Sequence, residues 1–256
     1  MRAETSRARR TGAPDYDDPE FWDTKFATGQ DVGEWLNPGE VLLDGAVSHL
    51  EQLSVEEQTR PQVLHLGPGL SKLGARVRDV FIDRGWAGNG IVNVDFSSEA
   101  VRIGKEVENR QEGSRAMHWL QADLRSWTDV ARLLPLGPFD AILDKSTSDA
   151  IATSSSVALP SSDRLSICPT VQNIFGSDGG TLSPVELLGL HLVPLTKVGS
   201  RWFVLSYSTA RFDNLPHLSA YWDMVARDPV EAPGGQTASG VHTPAVYHWM
   251  YTLQRK

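Results

Sequence analysis

The sequence contains one cysteine, Cys168, so no disulfide can close within the chain, and a reducing compartment is its natural setting. Long hydrophobic runs are also missing. The most apolar window, residues 185–195, is interrupted by His191 and Pro194 and falls short of the ~20 residues that span a bilayer. Positive charge is scarce: 24 Lys and Arg stand against 32 Asp and Glu, giving a net charge of -8. With no long basic block in the folded part, binding to nucleic acid or to an anionic membrane is disfavoured. Arg2, Arg7, Arg9 and Arg10 open the chain without an apolar core behind them, so residues 1–14 read as a disordered tail and not as a secretory signal. No cluster of acids and histidines has metal-ligand spacing, and no metal site is expected. What is present is enough for a core. With 256 residues, 40% of them apolar, the chain suits one large α/β domain with appendages, expected to be soluble and cytoplasmic.

The stretch that organises this domain is Val63-Leu64-His65-Leu66-Gly67-Pro68-Gly69, an apolar run that breaks into glycines. Leu70, Leu73, Val77, Val80 and Phe81 then repeat at helical spacing, with Gly85 as a stop. Strand, tight turn and helix is the expected order. Glycines let a ligand approach the backbone closely, although the same punctuation also closes ordinary βα connections. Ile91-Val92-Asn93-Val94-Asp95 reads as a second strand ending in an acid. At that position Asp95 can accept hydrogen bonds from ribose hydroxyls, or it can cap the next helix. Residues 117–121 and 139–144 give third and fourth strands, closed by Asp123 and Asp144. Three acids at strand ends after a glycine turn describe one polar rim above one sheet. A nicotinamide fingerprint G-x-G-x-x-G would need glycine at position 72, where Lys72 stands.

Before the sheet, residues 15–36 carry Tyr16, Phe21, Trp22, Phe26 and Trp35, either the apolar face of a helix packed on the sheet or a lid whose rings cover a flat ligand. Residues 152–182 are rich in Ser, Gly and Pro and read as a long loop, either a cover on the substrate side or a plain insertion. Ser183-Pro184-Val185-Glu186 is a capping box that starts a helix expected to reach about residue 197. His191 inside it has no acid or nucleophile nearby and reads as a packed histidine. Residues 201–207 form a fifth core strand, and 221–230 with 245–253 form a closing antiparallel pair.

The series Leu66-Gly67-Pro68-Gly69, Asp95, Ala122-Asp123 and Leu143-Asp144-Lys145-Ser146-Thr147-Ser148-Asp149-Ala150 resembles class I S-adenosylmethionine-dependent methyltransferases. More narrowly it is similar to the branch of elongation-factor lysine methyltransferases, with their Asp-Lys-Gly-Thr segment and Tyr-Trp-Asp-x-Arg-Phe opening, matched here by Phe21-Trp22-Asp23-Thr24-Lys25-Phe26. Ser146 departs from that pattern by replacing the glycine, and Pro68 stands where cysteine is usual. The resemblance implies a doubly wound, mostly parallel seven-stranded sheet over residues 15–256, with residues 15–60 as a helical lid. It implies S-adenosyl-L-methionine as cofactor, held by Gly67 and Gly69 at its methionine end, by Asp95 and Phe96 at ribose and adenine, and by Asp123 and Leu124 at adenine. Trp22 and Trp35 would belong to the lid over that cofactor.

Asp144 is the candidate to orient an acceptor amine, and Lys145 either lines the site or fixes its loop through a salt bridge. Thr147 and Asp149 are expected to cap the following helix. The acceptor is expected to be an amine, of a protein lysine or of a peptide-like secondary metabolite. The alternative is a hydroxyl of a small secondary metabolite. A non-catalytic cofactor-binding partner is the reading from a different class.

Overall fold

In the computed structural model, residues 14–29, 33–57, 60–159, 167–176, 179–233 and 245–256 are described. Of the proposed tail, residues 1–14, all but the last lie outside them. Two helices precede the sheet, α1 (Pro19–Thr28) and α2 (Glu40–Glu57). The parallel part follows as β1 (Val63–Leu66), α3 (Leu73–Asp83), β2 (Ile91–Asp95), α4 (Ser98–Glu108), β3 (His118–Gln121), α5 (Trp127–Val130), β4 (Phe139–Lys145) and α6 (Thr147–Ile151). After these come β5 (Val157–Leu159), α7 (Pro169–Phe175), β6 (Gly180–Leu182), α8 (Pro184–Leu192), β7 (Thr196–Ser206), β8 (Trp222–Glu231) and β9 (Tyr247–Arg255).

Seven strands form one sheet in the order β3-β2-β1-β4-β7-β9-β8. The first five are mutually parallel, and β9 runs antiparallel to both β7 and β8. Side chains alternate across a strand, which sorts the apolar runs onto two faces. Leu64, Leu66, Val92, Val94, Ile142, Trp202 and Val204 face a core shared with Leu188 and Leu192 of α8. Val63, Ile91, Ala141, Leu143, Phe203 and Leu205 face another, closed by Leu42 and Leu50 of α2 and by Val77 and Phe81 of α3. The chain leaves β1 toward β2 on one side and returns to β4 on the other. The crevice above the strand ends at β1 and β4 is therefore the place where such a sheet leaves room for a ligand.

Two expectations about the second half need correction. The helix from Ser183 ends at Leu192, followed by a single tight turn over Val193–Leu195 and then by β7, which starts at Thr196. Pro194 has no N–H to continue the ladder, which stops the helix early. Residues 152–182 are not structureless where described: β5 and β6 pair antiparallel, and α7 packs Cys168 and Val171 with Leu182 against Leu187 and Leu190 of α8. Their apolar residues are few and widely spaced, but nearly all are placed inward.

Candidate functional site

The crevice is a cavity of about 380 Å³, lined by the turns after β1, β2, β3 and β4, by α1 and by residues 33–35. That volume falls within the range of small-molecule sites. Gly67 and Gly69 sit at φ of 52° and 51°, where a side chain is strained. Close neighbours also demand glycine there. A Cβ on Gly67 would lie 2.3 Å from Thr147 Oγ1, and one on Gly69 3.0 Å from Phe26 Cζ. Thr147 Oγ1 donates to the Leu66 carbonyl at 2.8 Å, tying the β1 and β4 turns together across the crevice.

Asp95 ends β2 and lines the cavity while only 4% exposed. Its Oδ2 accepts from Gly69 N at 2.9 Å and its Oδ1 from Ser97 N at 2.9 Å, so the acid organises the glycine turn as well as facing the ligand space. Burial pushes its carboxyl up to about 6, against the opposing pull of those backbone donors. Phe96 follows it on the wall. Asp123, after β3, takes a forked pair from Arg125, Nε to Oδ1 at 2.9 Å and Nη2 to Oδ2 at 2.8 Å, and Leu124 adds an apolar patch beside it. All six of these sequence-derived positions meet on one cavity.

Strap residues close the cavity from above. Trp22 and Trp35 line it, with ring centroids 5.9 Å apart, and Phe26 and Tyr16 join them. Trp35 Nε1 donates to Ser146 Oγ at 3.2 Å. The aromatics pack against one another and line the cavity, an arrangement compatible with the lid reading, whereas α1 makes its contacts with α4.

The β4 turn differs from expectation. Asp144 is fully buried and does not line the cavity. Its Oδ1 accepts from Thr147 N at 2.8 Å and Ser148 N at 3.1 Å, the role of a carboxylate at a helix N-terminus. Its Oδ2 has no partner, and burial, opposed by its Ser148 and Thr147 donors, raises the carboxyl to about 7. As an amine-orienting group at the rim it is misplaced. Lys145 does line the cavity, but its Nζ is engaged with Glu34 Oε2 at 2.6 Å and the Asn37 carbonyl at 3.1 Å. Of the two roles read from sequence, the salt bridge that fixes a loop is the one its contacts serve.

Asp149, expected to cap a helix, is instead the acid that reaches the cavity from this turn. Its Oδ1 accepts from Ser206 Oγ at 2.5 Å and from Arg211 Nε at 2.7 Å, and its Oδ2 from Ser146 Oγ at 2.9 Å and Tyr207 N at 3.2 Å. Ser146 itself stands at φ 66°, a left-handed position natural for glycine, and its hydroxyl spans Trp35 and Asp149. Ser146 thus adopts a backbone natural for glycine and adds a hydrogen-bonding link. His191 is a packed residue as expected: Nδ1–H donates to the Leu124 carbonyl at 2.9 Å, and burial lowers its pKa.

Glu34 and Arg125 went unrecognised in the sequence. Arg125 stands two residues after Asp123 and was findable from that spacing. Glu34 acts on residues at least 37 positions away and left no local signal. Among the described residues, no group of three or more His, Cys, Asp or Glu is placed to hold a metal ion, and no helix is long and apolar enough to cross a membrane.

No protein-family model matches the chain. Methyltransferase srdJ of Neurospora crassa is 26% identical over 244 residues, covering 95% of this chain and 85% of the relative. Among solved structures, one from work on the conversion of a disulfide bond into a thioacetal group during echinomycin biosynthesis aligns with a TM-score of 0.53. It shares 14% identity and covers 93% of each chain. An S-adenosylmethionine-dependent methyltransferase from Anabaena variabilis aligns at 0.52 with 10% identity, over 94% of this chain and 95% of that one. The magnesium protoporphyrin IX methyltransferase of Synechocystis PCC 6803, solved with its cofactor, aligns at 0.51 with 11% identity, over 97% and 100%. The chain has the class I S-adenosylmethionine-dependent methyltransferase fold, and it is similar to a methyltransferase of Neurospora crassa along nearly its whole length.

Proposed function

We propose that this chain N-methylates an amine, either a protein lysine or the amino group of a peptide-like secondary metabolite, working as a soluble cytoplasmic enzyme. The donor set of the cavity fits S-adenosylmethionine. The buried carboxylate of Asp95 suits a ribose diol, Asp123 and Leu124 suit the hydrogen-bonding and apolar edges of adenine, and the glycine turn leaves backbone exposed for the methionine end. That group supplies a methyl on a sulfonium, open to in-line attack. The chain's own work is to hold an acceptor nitrogen in line with it and to keep water out, which accounts for much of the acceleration in a displacement of this kind.

The observation that carries the nitrogen reading is the acidic wall at the acceptor end. Asp149 lines the cavity at 2% exposure, next to Tyr207. Its charge is matched by Arg211 and its oxygens hold Ser146, Ser206 and Tyr207 in place, so the wall is a fixed polar surface suited to an acceptor amine that arrives neutral, with its lone pair free to attack the methyl group. A hydroxyl acceptor would ask for a general base, and the lining histidine that would serve is not among the described residues of the wall. The likeness to a structure from echinomycin biosynthesis supports the peptide-like metabolite, whereas the Asp144-Lys145-Ser146-Thr147 segment supports the lysine.

The test is incubation with methyl-labelled cofactor and two acceptor pools, cell protein and small-molecule extract, followed by identification of the labelled species. Label on lysine or on a metabolite amine is the expected result. Label found only in methyl ethers would establish O-methylation, and binding without transfer to either pool would establish a non-catalytic partner.

A further inference from the structure

The helices that start above the cavity are not fully capped by their own sequences. At the start of α3, the N-cap residue Lys72 makes no side-chain cap bond. Leu73 N, the first helical N–H, donates to Ser71 Oγ at 3.1 Å, and the carboxylate of Glu34 holds that local cap in place, accepting from Lys72 N at 2.7 Å through Oε1 and from Ser71 Oγ at 2.8 Å through Oε2. At the start of α4, Ser97 caps Ala100 N, but Glu99 N donates to Asp23 Oδ1 at 3.1 Å, and Asp23 also accepts from Ser97 Oγ at 2.5 Å and Ser98 Oγ at 3.0 Å. Both acids belong to the N-terminal strap, Asp23 to α1 and Glu34 to the segment before α2. Their carboxylates meet the positive ends of two helices, where an anion is favoured.

The strap grips the remaining two turns as well. Asp17 lies 3.5 Å from Arg125 after β3, and Lys145 and Ser146 after β4 bond to Glu34 and Trp35. Each of the four turns lining the cavity is therefore bonded to the strap, and two of those contacts support a helix start, Asp23 at α4 and Glu34, through Ser71, at α3. We propose that Asp23 and Glu34 are positioning residues that hold the starts of α4 and α3 from the strap, Asp23 by capping directly and Glu34 by fixing the Ser71 cap, so that strap closure and the ordering of the cofactor-binding turns are one event. Release of the strap then loosens the glycine turn and the β2 turn together, opening the way for cofactor exchange. Both carboxyls are held below their ordinary range by these donors against the cost of burial. This inference rests on the cofactor reading only for its ligand arm.

The ligand arm uses S-adenosylhomocysteine as probe in stopped-flow binding. Glu34→Ala is expected to raise the dissociation rate about tenfold with little change in the association rate, the loss of a charged acceptor with several donors. The second arm is hydrogen exchange on the ligand-free protein, resolved by segment. Glu34→Ala should speed exchange at residues 71–74 and also at 97–100, the distant helix start held by Asp23, while the β8–β9 hairpin stays as in the parent. Asp23→Asn should produce the mirror image, rising first at 97–100 and then at 71–74. Faster exchange confined to the substituted acid's own turn would overturn the single-event claim, and faster exchange everywhere would reduce both residues to general stability. A parent protein that fails to bind the probe would reject the cofactor reading, leaving the exchange arm to decide this one.

Discussion

Two segments with irregular sequence pack near the same sheet, and they do different things. The strap, residues 14–29 and 33–39, brings Tyr16, Trp22, Phe26 and Trp35 to the cavity and sends carboxylates into the turns around it. The insertion between α6 and α8 buries Cys168, Val171 and Leu182 against α8, and none of its described residues lines the cavity. The expected substrate-side cover at 152–182 is thus a small satellite core in its described part, and the covering is done by the strap. The difference is chemical: aromatic rings with acids at strand-turn distance make a wall, whereas scattered aliphatics turned against α8 make a filler.

If the strap and the turns beneath it form the ligand site, the sharpest break comes from the acid that both share. Asp95→Ala should weaken S-adenosylhomocysteine binding about a thousandfold in calorimetry, the loss of a charged acceptor facing two hydroxyls. Unchanged affinity would remove the ribose assignment. Asp144 sharpens the contrast because it lies on a neighbouring turn but outside the cavity. Its carboxyl is raised to about 7 by burial, so the fold favours the neutral form. That contribution is fully present below the ordinary carboxylate value and is lost as pH rises through 7. Asp144→Asn keeps an N-cap oxygen and stays neutral. Relative to the parent it should gain roughly 2–3 kcal/mol in denaturant unfolding between pH 5 and pH 8, with probe affinity nearly unchanged. A large loss of turnover at constant stability would return Asp144 to the acceptor site. A smaller effect is expected in the strap itself: Trp22→Ala should weaken the probe about thirtyfold by removing ring area from the wall, and Trp fluorescence should no longer respond to binding in full.

How much of this was legible depended on range. The strands, the glycine turn and the acids at Asp95 and Asp123 follow from local patterns, because a buried parallel strand is a short apolar run and its end is marked by a change to polar residues. The sheet's antiparallel close was readable for the same reason. The division of labour within Asp144–Asp149 was not, since both acids lie within six residues and either can cap a helix; only the direction of β4 decides that Asp144 turns inward and Asp149 toward the cavity. Glu34 was invisible because its partners are Ser71, Lys72 and Lys145, joined to it only by the fold. The early end of the helix at Leu192 was signalled by Pro194, and the helical apolar spacing around it outweighed that signal.

The mildest change tests the other half of the comparison. Val171 is 1% exposed in α7 and touches the satellite core, not the cavity. Val171→Ala removes two methyl groups from a packed site, which costs about 1.5 kcal/mol in transfer free energy with some addition for the space left behind. Melting temperature should fall while probe affinity, association rate and dissociation rate all hold. The packed core of the insertion would then be a stabilising annex, separate in effect from the Ser154 hydroxyl that meets Arg125. Any matching loss of affinity would mean that strain passes from α7 through α8 into the His191 contact with Leu124, or through Trp127, which packs on this core and against His191. In that case, strap and insertion would not be separable, and the cavity would have to be understood as held from both sides.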